Sequence, residues 1–342
     1  MRIAIVAPLS ETVPPCGYGG TERVVSLLTE ELVHRGHDVT LFACRGSQTT
    51  GQLVECWNGP LRLDQSVRDH VACSVSQFRL VYDHGMEIDL IHNHGSFVGF
   101  PFSRWSPVPF ITTVHGRLDT REYRQVYSSF PEVPMVAISM SQRSSLLDVN
   151  WMETVHNGVD VKLFHFQPNA GSYLVFLGRM SPEKRPDRAI DIAREVGMQL
   201  VMAAKIDPAD QEYFDQSIAP LIHENKKFVE FIGEVGDREK DQLLGGAYAY
   251  LFPIDWPEPF GLTVVEAMAT GTPVIAYRGG ATEELIEHGV TGFVCDTMQE
   301  MRDAVPLVRN LDRRECRQRV EECFSSKSMA DGYEDVYGRL VR

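Results

Sequence analysis

Glu258-Pro259-Phe260-Gly261-Leu262-Thr263-Val264-Val265-Glu266, running on into Ala267-Met268-Ala269-Thr270-Gly271-Thr272-Pro273-Val274-Ile275, is the stretch on which the reading of this 342-residue chain turns. Apolar runs at 250–253 and 273–276 bracket a helical pattern over 262–270, so the segment reads as strand, turn, helix, strand. Two carboxylates with seven residues between them flank a turn shaped by Pro259 and Gly261, and small residues line the helix behind it. In an open α/β sheet such a turn lies at the carboxyl edge of the strands, where ligands bind. The backbone N–H groups of Phe260, Gly261, Leu262 and Thr263 would lack helical partners there and offer an anion a row of donors and a positive dipole end.

Outward from this element the alternation continues. Residues 173–177, 199–204 and 228–232 read as strands, with helices over 185–196, 210–224 and 238–246 between them, which makes a doubly wound parallel sheet. Upstream, Asn157-Gly158-Val159-Asp160 leads into a polar, structure-poor stretch through 168–172 that marks a domain boundary. Before it, apolar runs at 3–7, 39–43, 90–92, 110–114 and 135–138, with a helix over 21–35 carrying Val24, Leu28 and Leu32, predict a second sheet of the same kind. The chain closes on a helix over 328–340 with Tyr333, Val336, Tyr337 and Leu340 on one face.

Several groups on this frame carry chemistry. Glu266, one turn into its helix, is placed to accept two ribose hydroxyls, and Glu258 lies toward a diphosphate; the plainer alternative is two solvated acids near a helix start. In Gly178-Arg179-Met180-Ser181-Pro182-Glu183-Lys184, Arg179 is expected to leave a loop and Lys184 the start of the next helix, at the same sheet edge. Both cations would then reach one diphosphate, and a lysine set against a helix dipole points to a ligand. The alternative is a surface cation pair. Gly17-Tyr18-Gly19-Gly20 opens the first helix, where Gly19 and Gly20 would let backbone N–H groups approach a phosphate. A dinucleotide-binding motif is disfavoured: the spacing is not G-x-G-x-x-G, the loop is too long, and the second strand ends in Cys44-Arg45 without a ribose-binding acid.

His115, in Thr113-Val114-His115-Gly116, closes a strand and would either meet a sugar hydroxyl or serve a structural partner. His92 and His94 are expected to diverge unless the strand has ended between them, and a metal site there is disfavoured.

Composition bounds the partners. A formal charge of −14 opposes binding to nucleic acid or an anionic membrane, and 43% apolar residues suit a folded domain pair. Residues 1–150 hold twelve Arg, no Lys and fifteen acids, so neither half is basic and any phosphate must be held by local cations. Seven scattered cysteines without a C-x-x-C pair suit a reducing compartment, and the run at 3–7 is too short for a signal core or a membrane span. A cytoplasmic protein is expected.

Taken in order, the glycine loop, Thr-Val-His-Gly, Ala137-Ile138-Ser139, Asn157-Gly158-Val159-Asp160, Gly178-Arg179 with Lys184, the E-x7-E element and Gly279-Gly280 with Glu283-Glu284 resemble glycosyltransferase family 4, the retaining GT-B enzymes, essentially from end to end. The resemblance implies two Rossmann-like doubly wound parallel-sheet domains facing a cleft: residues 1–160 binding the acceptor, with a C-terminal helix 326–342 packing back on them, and residues 170–325 binding the nucleotide sugar. By the same resemblance Arg179 and Lys184 clamp the diphosphate and Glu266 holds the ribose. Glu258 and the amides of Phe260, Gly261, Leu262 and Thr263 contact the transferred sugar, His115 meets its 6-hydroxyl, and Val235 walls the base. No cofactor is implied, the nucleotide sugar being a substrate. The Asp-x-Asp metal clamp of the other large glycosyltransferase fold occurs nowhere in the chain, so cations and helix dipole would replace Mg²⁺.

The resulting expectation is a metal-independent, retaining hexosyltransferase using a UDP-hexose, with GDP-mannose the second choice, and a small-molecule or glycan acceptor that is soluble rather than lipid. The alternatives are a GT-B-fold sugar-nucleotide epimerase or phosphorylase, and a non-catalytic two-domain sugar-binding protein. The first would need a base pair or a lysine-bound cofactor not found in the sequence, and the second would normally carry an export signal.

Overall fold

Four of the five residues of β1 (Arg2–Val6) are buried, and a strand hidden on both faces must sit in the middle of a covered parallel sheet. A computed structural model describes residues 1–84 and 88–341 and places it so. The chain divides into two compact units, residues 1–158 with 326–342, and residues 159–325.

In the first unit, β1 is joined by β2 (Asp38–Cys44), β3 (Gln52–Trp57), β4 (Leu90–Asn93), β5 (Phe110–Val114), β6 (Met135–Ala137) and β7 (Trp151–Thr154) in the order β3-β2-β1-β4-β5-β6-β7. Neighbouring strands are parallel throughout, and Ile5 lies opposite both Leu41 and His92. Helix α1 (Gly20–His34) buries Val24, Val25, Leu28 and Leu32, as its 3.6-residue period predicts. Helix α2 (His70–Asp83) starts on Asp69, whose carboxylate accepts the N–H groups of Val71 and Ala72. A short helix α3 (Arg121–Ser128) follows β5. The edge strands β3 and β7 were not legible in the sequence, because both are only half-buried and lack an unbroken apolar run.

The terminal helix Ser326–Leu340 belongs to this first unit and is tied to it by a buried polar chain. The Tyr337 hydroxyl lies 2.6 Å from His92 Nδ1, His92 Nε2 lies 2.7 Å from Thr113 Oγ1, and Thr113 Oγ1 lies 2.9 Å from the Tyr333 hydroxyl. On its outer side Arg35 donates to Asp331, Glu334 and the Lys327 carbonyl.

The second unit is another wholly parallel sheet: β8 (Tyr173–Arg179), β9 (Gln199–Lys205), β10 (Val229–Gly233), β11 (Ala249–Phe252), β12 (Val274–Tyr277) and β13 (Gly292–Cys295), ordered β10-β9-β8-β11-β12-β13. Its helices include α4 (Pro186–Val196), α5 (Asp237–Gly245), α6 (Leu262–Ala269) and α7 (Arg313–Cys323). Three sequence expectations need correction. Strand β8 extends to Arg179, paired with Lys205, so Arg179 is a strand residue rather than a loop residue. Lys184 closes a separate 3₁₀ turn, Pro182–Lys184, and α4 starts two residues later because Arg185 adopts left-handed backbone, φ 53°. The helix expected over 210–224 is interrupted by a π turn, Phe214–Ile218, just before Pro220, which has no N–H to return to the preceding turn.

Helix α7 fastens this unit. Arg313, 5% exposed, donates to the carbonyls of Gln167, Gly245 and Ala247 and to Thr272 Oγ1, while Arg317 donates to the carbonyls of Phe164 and Ala269. The ends of α5 and α6 are thereby pinned to each other. Among the described residues no helix is long and apolar enough to cross a membrane.

Removing the Tyr337 hydroxyl would leave His92 Nδ1 buried without its partner. Tyr337→Phe is expected to destabilise the first unit by about 1–3 kcal/mol, read from urea melts followed by the fluorescence of its tryptophans; an unchanged midpoint would remove the anchoring role assigned to this contact.

Candidate active site

The E-x7-E element lies where the pattern placed it, between β11 and β12. Gly261, at φ 103°, caps α6, a backbone setting that favours glycine. Val264 and Val265 return their N–H groups to the Gly261 carbonyl, whereas those of Gly261, Leu262 and Thr263 find no acceptor among the described residues. Phe260 is buried with its ring edge-on to Phe324, 6.1 Å between centroids, and the Thr263 hydroxyl lies 2.8 Å from that of Tyr250. The turn is therefore braced on its apolar side and leaves its donors unspent.

Each carboxylate of the element holds a lysine. Lys184 Nζ and Trp256 Nε1 both donate to Glu258 Oε2, the indole at 3.1 Å, and the ammonium lies 5.2 Å from the Trp256 ring and 5.4 Å from that of Phe252. An aromatic box holds the cation without neutralising it. Behind Glu258, Gly280 comes so close that a Cβ there would lie 2.1 Å from the Glu258 carbonyl oxygen. Ala281 donates its N–H to that carbonyl at 3.0 Å, which fixes the backbone under the carboxylate. Glu266, 3% exposed, accepts from Lys240 Nζ at 2.6 Å. Lys240, on α5, was missed by sequence reasoning: it is an isolated lysine in an ordinary polar helix, and only the adjacency of α5 and α6 reveals it.

Arg179 is placed differently from Lys184. Its guanidinium donates to Glu183, and Asp210 lies 3.2 Å from its Nε. Burial would raise the pKa of Glu183, yet its backbone hydrogen bond and the neighbouring Arg179 bring it below the ordinary value. Burial raises that of Asp210, with Arg179 opposing. The structure thus brings Lys184 to the Glu258 turn, while it sets Arg179 in a carboxylate pair at the end of β8. Val235 is half-buried in the loop between β10 and α5.

In the first unit, Gly19 caps α1 and Gly20 is its first residue; a Cβ on Gly19 would meet Pro15 Cβ at 2.8 Å. His115 follows β5 and His94 follows β4. The rings of His92 and His94 converge, 4.0 Å between centroids, which corrects the expectation that they diverge: residues two apart line the same face of an extended chain, and His94 follows directly on β4. Both nitrogens of His92 are taken by Tyr337 and Thr113, so that ring has no lone pair to offer a metal. Among the described residues no group of three or more His, Cys, Asp or Glu side chains is arranged to hold a metal ion. His94 Nδ1 lies 2.8 Å from His115 Nε2, and His94 Nε2 is buried without a protein partner. The pair lines a cavity of about 280 Å³ within this unit, together with Ser10, Gln77, Ser96 and Tyr127.

Residues 18–163 match the model of Glycosyltransferase Family 4 and residues 164–322 that of Glycosyl transferases group 1. The chain belongs to glycosyltransferase family 4: it is a GT-B-fold glycosyltransferase acting on a nucleotide-sugar donor. Glycogen synthase of Mycobacterium tuberculosis (strain ATCC 25618 / H37Rv) is 24% identical over 98% of this chain and 94% of that protein. N-acetyl-alpha-D-glucosaminyl L-malate synthase of Bacillus anthracis is 38% identical over 94 residues, 25% of this chain and 24% of its own length. Among solved structures, Anabaena Alr3699/HepE in complex with UDP superposes with a TM-score of 0.76 at 19% identity, over 99% of this chain and 100% of that one.

Burial holds the pKa of His92 and of His115 down to about 3 and pushes that of His94 well below its ordinary value, helped there by the neighbouring rings. All three imidazoles are therefore neutral at physiological pH. Protons enter the unfolded chain first as pH falls through about 6.5, so the stability these rings contribute is complete above that value and is lost on the way down toward pH 3, by about 1.4 kcal/mol per pH unit for each buried ring. The imidazole C–H resonances of His92 and His115 should stay flat between pH 8 and 5 in NMR titrations; a midpoint near 6.5 for either would contradict the burial.

Proposed function

We propose that this chain is a metal-independent, retaining hexosyltransferase that uses a UDP-hexose, with GDP-mannose the second choice, and transfers the sugar to a small-molecule or glycan acceptor in the cytoplasm. The observation that carries the reading is the α6 turn. Unspent N–H groups and two carboxylates stand on one strand-helix connection and the start of its helix, and the turn after β8 brings a boxed lysine to them, the complement of a diphosphate, a sugar and a ribose. That the Anabaena protein was solved in complex with UDP supports the choice of base.

In this reading Lys184 and Arg179 hold the diphosphate, and the amides of Phe260, Gly261, Leu262 and Thr263 extend the positive end of α6 toward it. Glu258 receives hydroxyls of the transferred sugar, His115 its 6-hydroxyl, Glu266 the ribose diol, and Val235 lines the base. Gly19 and Gly20 let the backbone of the first unit approach the donor phosphates. Breaking the bond from the anomeric carbon to the donor phosphate leaves positive charge on the ring and negative charge on the departing diphosphate. Fixed cations and amides stabilise that negative charge without reorganising. The acceptor oxygen forms the new bond on the same face, and its proton passes to the leaving phosphate oxygen. No protein nucleophile enters the step.

The Glu258 carboxylate that holds Lys184 in the free protein becomes a competitor of the diphosphate for it. Binding therefore exchanges one anionic partner for another, and the ammonium needs no large movement. Neutral His115 suits a hydroxyl partner, since it can donate from one nitrogen without presenting a charge.

Thermal shifts with UDP-, GDP- and ADP-sugars identify the donor, because a ligand bound only by the folded chain raises its apparent stability. Glu266→Ala is expected to weaken nucleotide binding about tenfold or more, whereas Arg179→Ala should lower kcat about 10²-fold with little change in acceptor KM. Activity should survive exhaustive chelation. Unchanged kinetics in both variants, or loss of turnover with EDTA restored by Mg²⁺, would overturn the assignment.

A further inference from the structure

Glu266 and Lys240 form an unusually secluded ion pair. They are 3% and 9% exposed, Nζ to Oε1 is 2.6 Å, and the ammonium has Asp237 at 3.5 Å and the Phe164 ring centroid at 5.5 Å. Withdrawing such a pair from water costs several kcal/mol per ion, and well-packed apolar residues would join two helices at least as firmly. Stability alone gives little reason for it. Its geometry suggests another: the lysine occupies Oε1 only, and among the described residues Oε2 accepts no hydrogen bond from the protein. A carboxylate has about four acceptor sites, so this one is left with most of its capacity open.

The surroundings keep it so. Arg317 donates to the Phe164 carbonyl at 2.6 Å and so fixes the loop whose ring faces the ammonium. Arg313 holds the carbonyl of Gly245, the last residue of α5. Lys240 is thus delivered by α5 and Glu266 by α6, and one latch sets the register of both.

Resting on the reading of Glu266 as the ribose acceptor, we propose that Lys240 is a positioning residue: it takes Oε1, turns the carboxylate so that Oε2 is presented, and thereby sets the preference of the site for a nucleotide with an intact vicinal ribose diol. Lys240 itself touches no substrate. A carboxylate that lost the lysine would swing among rotamers and would need to be reordered at each binding event, which weakens the diol contact specifically and leaves base and phosphate contacts alone.

The test compares the full chain carrying Lys240→Met or Lys240→Gln with the wild type and with Glu266→Ala. Isothermal calorimetry uses UDP and 2′,3′-dideoxy-UDP, or the same pair on whichever base the wild type binds. The wild type should prefer the ribonucleotide by about tenfold or more. Both lysine variants and Glu266→Ala should lose most of that preference through weaker ribonucleotide binding, with dideoxy affinity unchanged, and combining Lys240→Met with Glu266→Ala should add little further. Should the methionine variant lose its native melting transition, the glutamine variant, which keeps length and polarity, carries the comparison. Equal weakening of both nucleotides, or a wild-type preference retained in the lysine variants while Glu266→Ala abolishes it, overturns the role of Lys240 and leaves that of Glu266 standing. A wild type that binds neither nucleotide, or does not distinguish them, overturns the ribose reading itself and the proposal with it.

Discussion

A wholly parallel sheet ends all its strands at one edge, and this constraint decides which residues of the chain can act together. In the second unit β8 is flanked by β9 and β11, so what leaves β8 emerges beside what leaves β11. The 3₁₀ turn after β8 carries Lys184, and the loop after β11 carries Trp256 and Glu258; their ion pair follows from strand order. In the first unit β4 and β5 are neighbours, and the residues just beyond them, His94 and His115, meet for the same reason. No local propensity produces either contact.

The two edges are built with opposite electrostatics. In the second unit charge is concentrated and matched, with each carboxylate of the E-x7-E element on its own lysine and Arg179 between Glu183 and Asp210. In the first, burial keeps three imidazoles neutral: His92 is joined to the hydroxyls of Tyr337, Thr113 and, through it, Tyr333, while His94 and His115 meet each other. A neutral imidazole donates from one nitrogen and accepts at the other, so this chain satisfies itself without an ion and remains insensitive to pH near neutrality. His94 Nε2 is the exception, an unpartnered buried nitrogen in a wall of the cavity.

Much of the fold was legible. Short apolar runs trailed by turn residues located ten of the thirteen strands among the described residues, and the spacing of Val24, Leu28 and Leu32 located α1. The strands missed, β3, β7 and β13, all lie at sheet edges; β3 and β7 are half-buried and lack an unbroken apolar run, and the short β13 is buried but opens on Gly292. The turn at Gly261 was legible because Pro, Gly and flanking strand signals coincide in nine residues. The partners of its carboxylates were only half legible. Lys184 shares a short motif with Arg179 and drew notice for that reason; Lys240 is 26 residues from Glu266, and no pattern in α5 distinguishes it from a solvated lysine. The expectation that Arg179 leaves a loop failed because the strand continues through Gly178, whose backbone pairs with Ala204 as readily as any other residue's would. The expectation that His92 and His94 diverge failed for a simpler reason: residues two apart share one face of an extended chain, so the two rings meet.

What sequence reading misses in both units is the fastening. Arg313 and Arg317 satisfy carbonyls at the ends of α5, α6 and the segment before β8, and Tyr333 and Tyr337 do the equivalent for β4 and β5 from the terminal helix. Charged or hydroxyl donors spent on buried carbonyls and ring nitrogens contribute modestly to stability one by one, but removing any leaves its acceptor stranded. That asymmetry keeps the helices in one register. Stabilising charge that develops and vanishes within a reaction requires dipoles already in position, since reorienting them would consume the benefit. The amides of Gly261, Leu262 and Thr263 can remain unspent in the folded chain because Arg313 and Arg317 have fixed the other end of the helix that presents them.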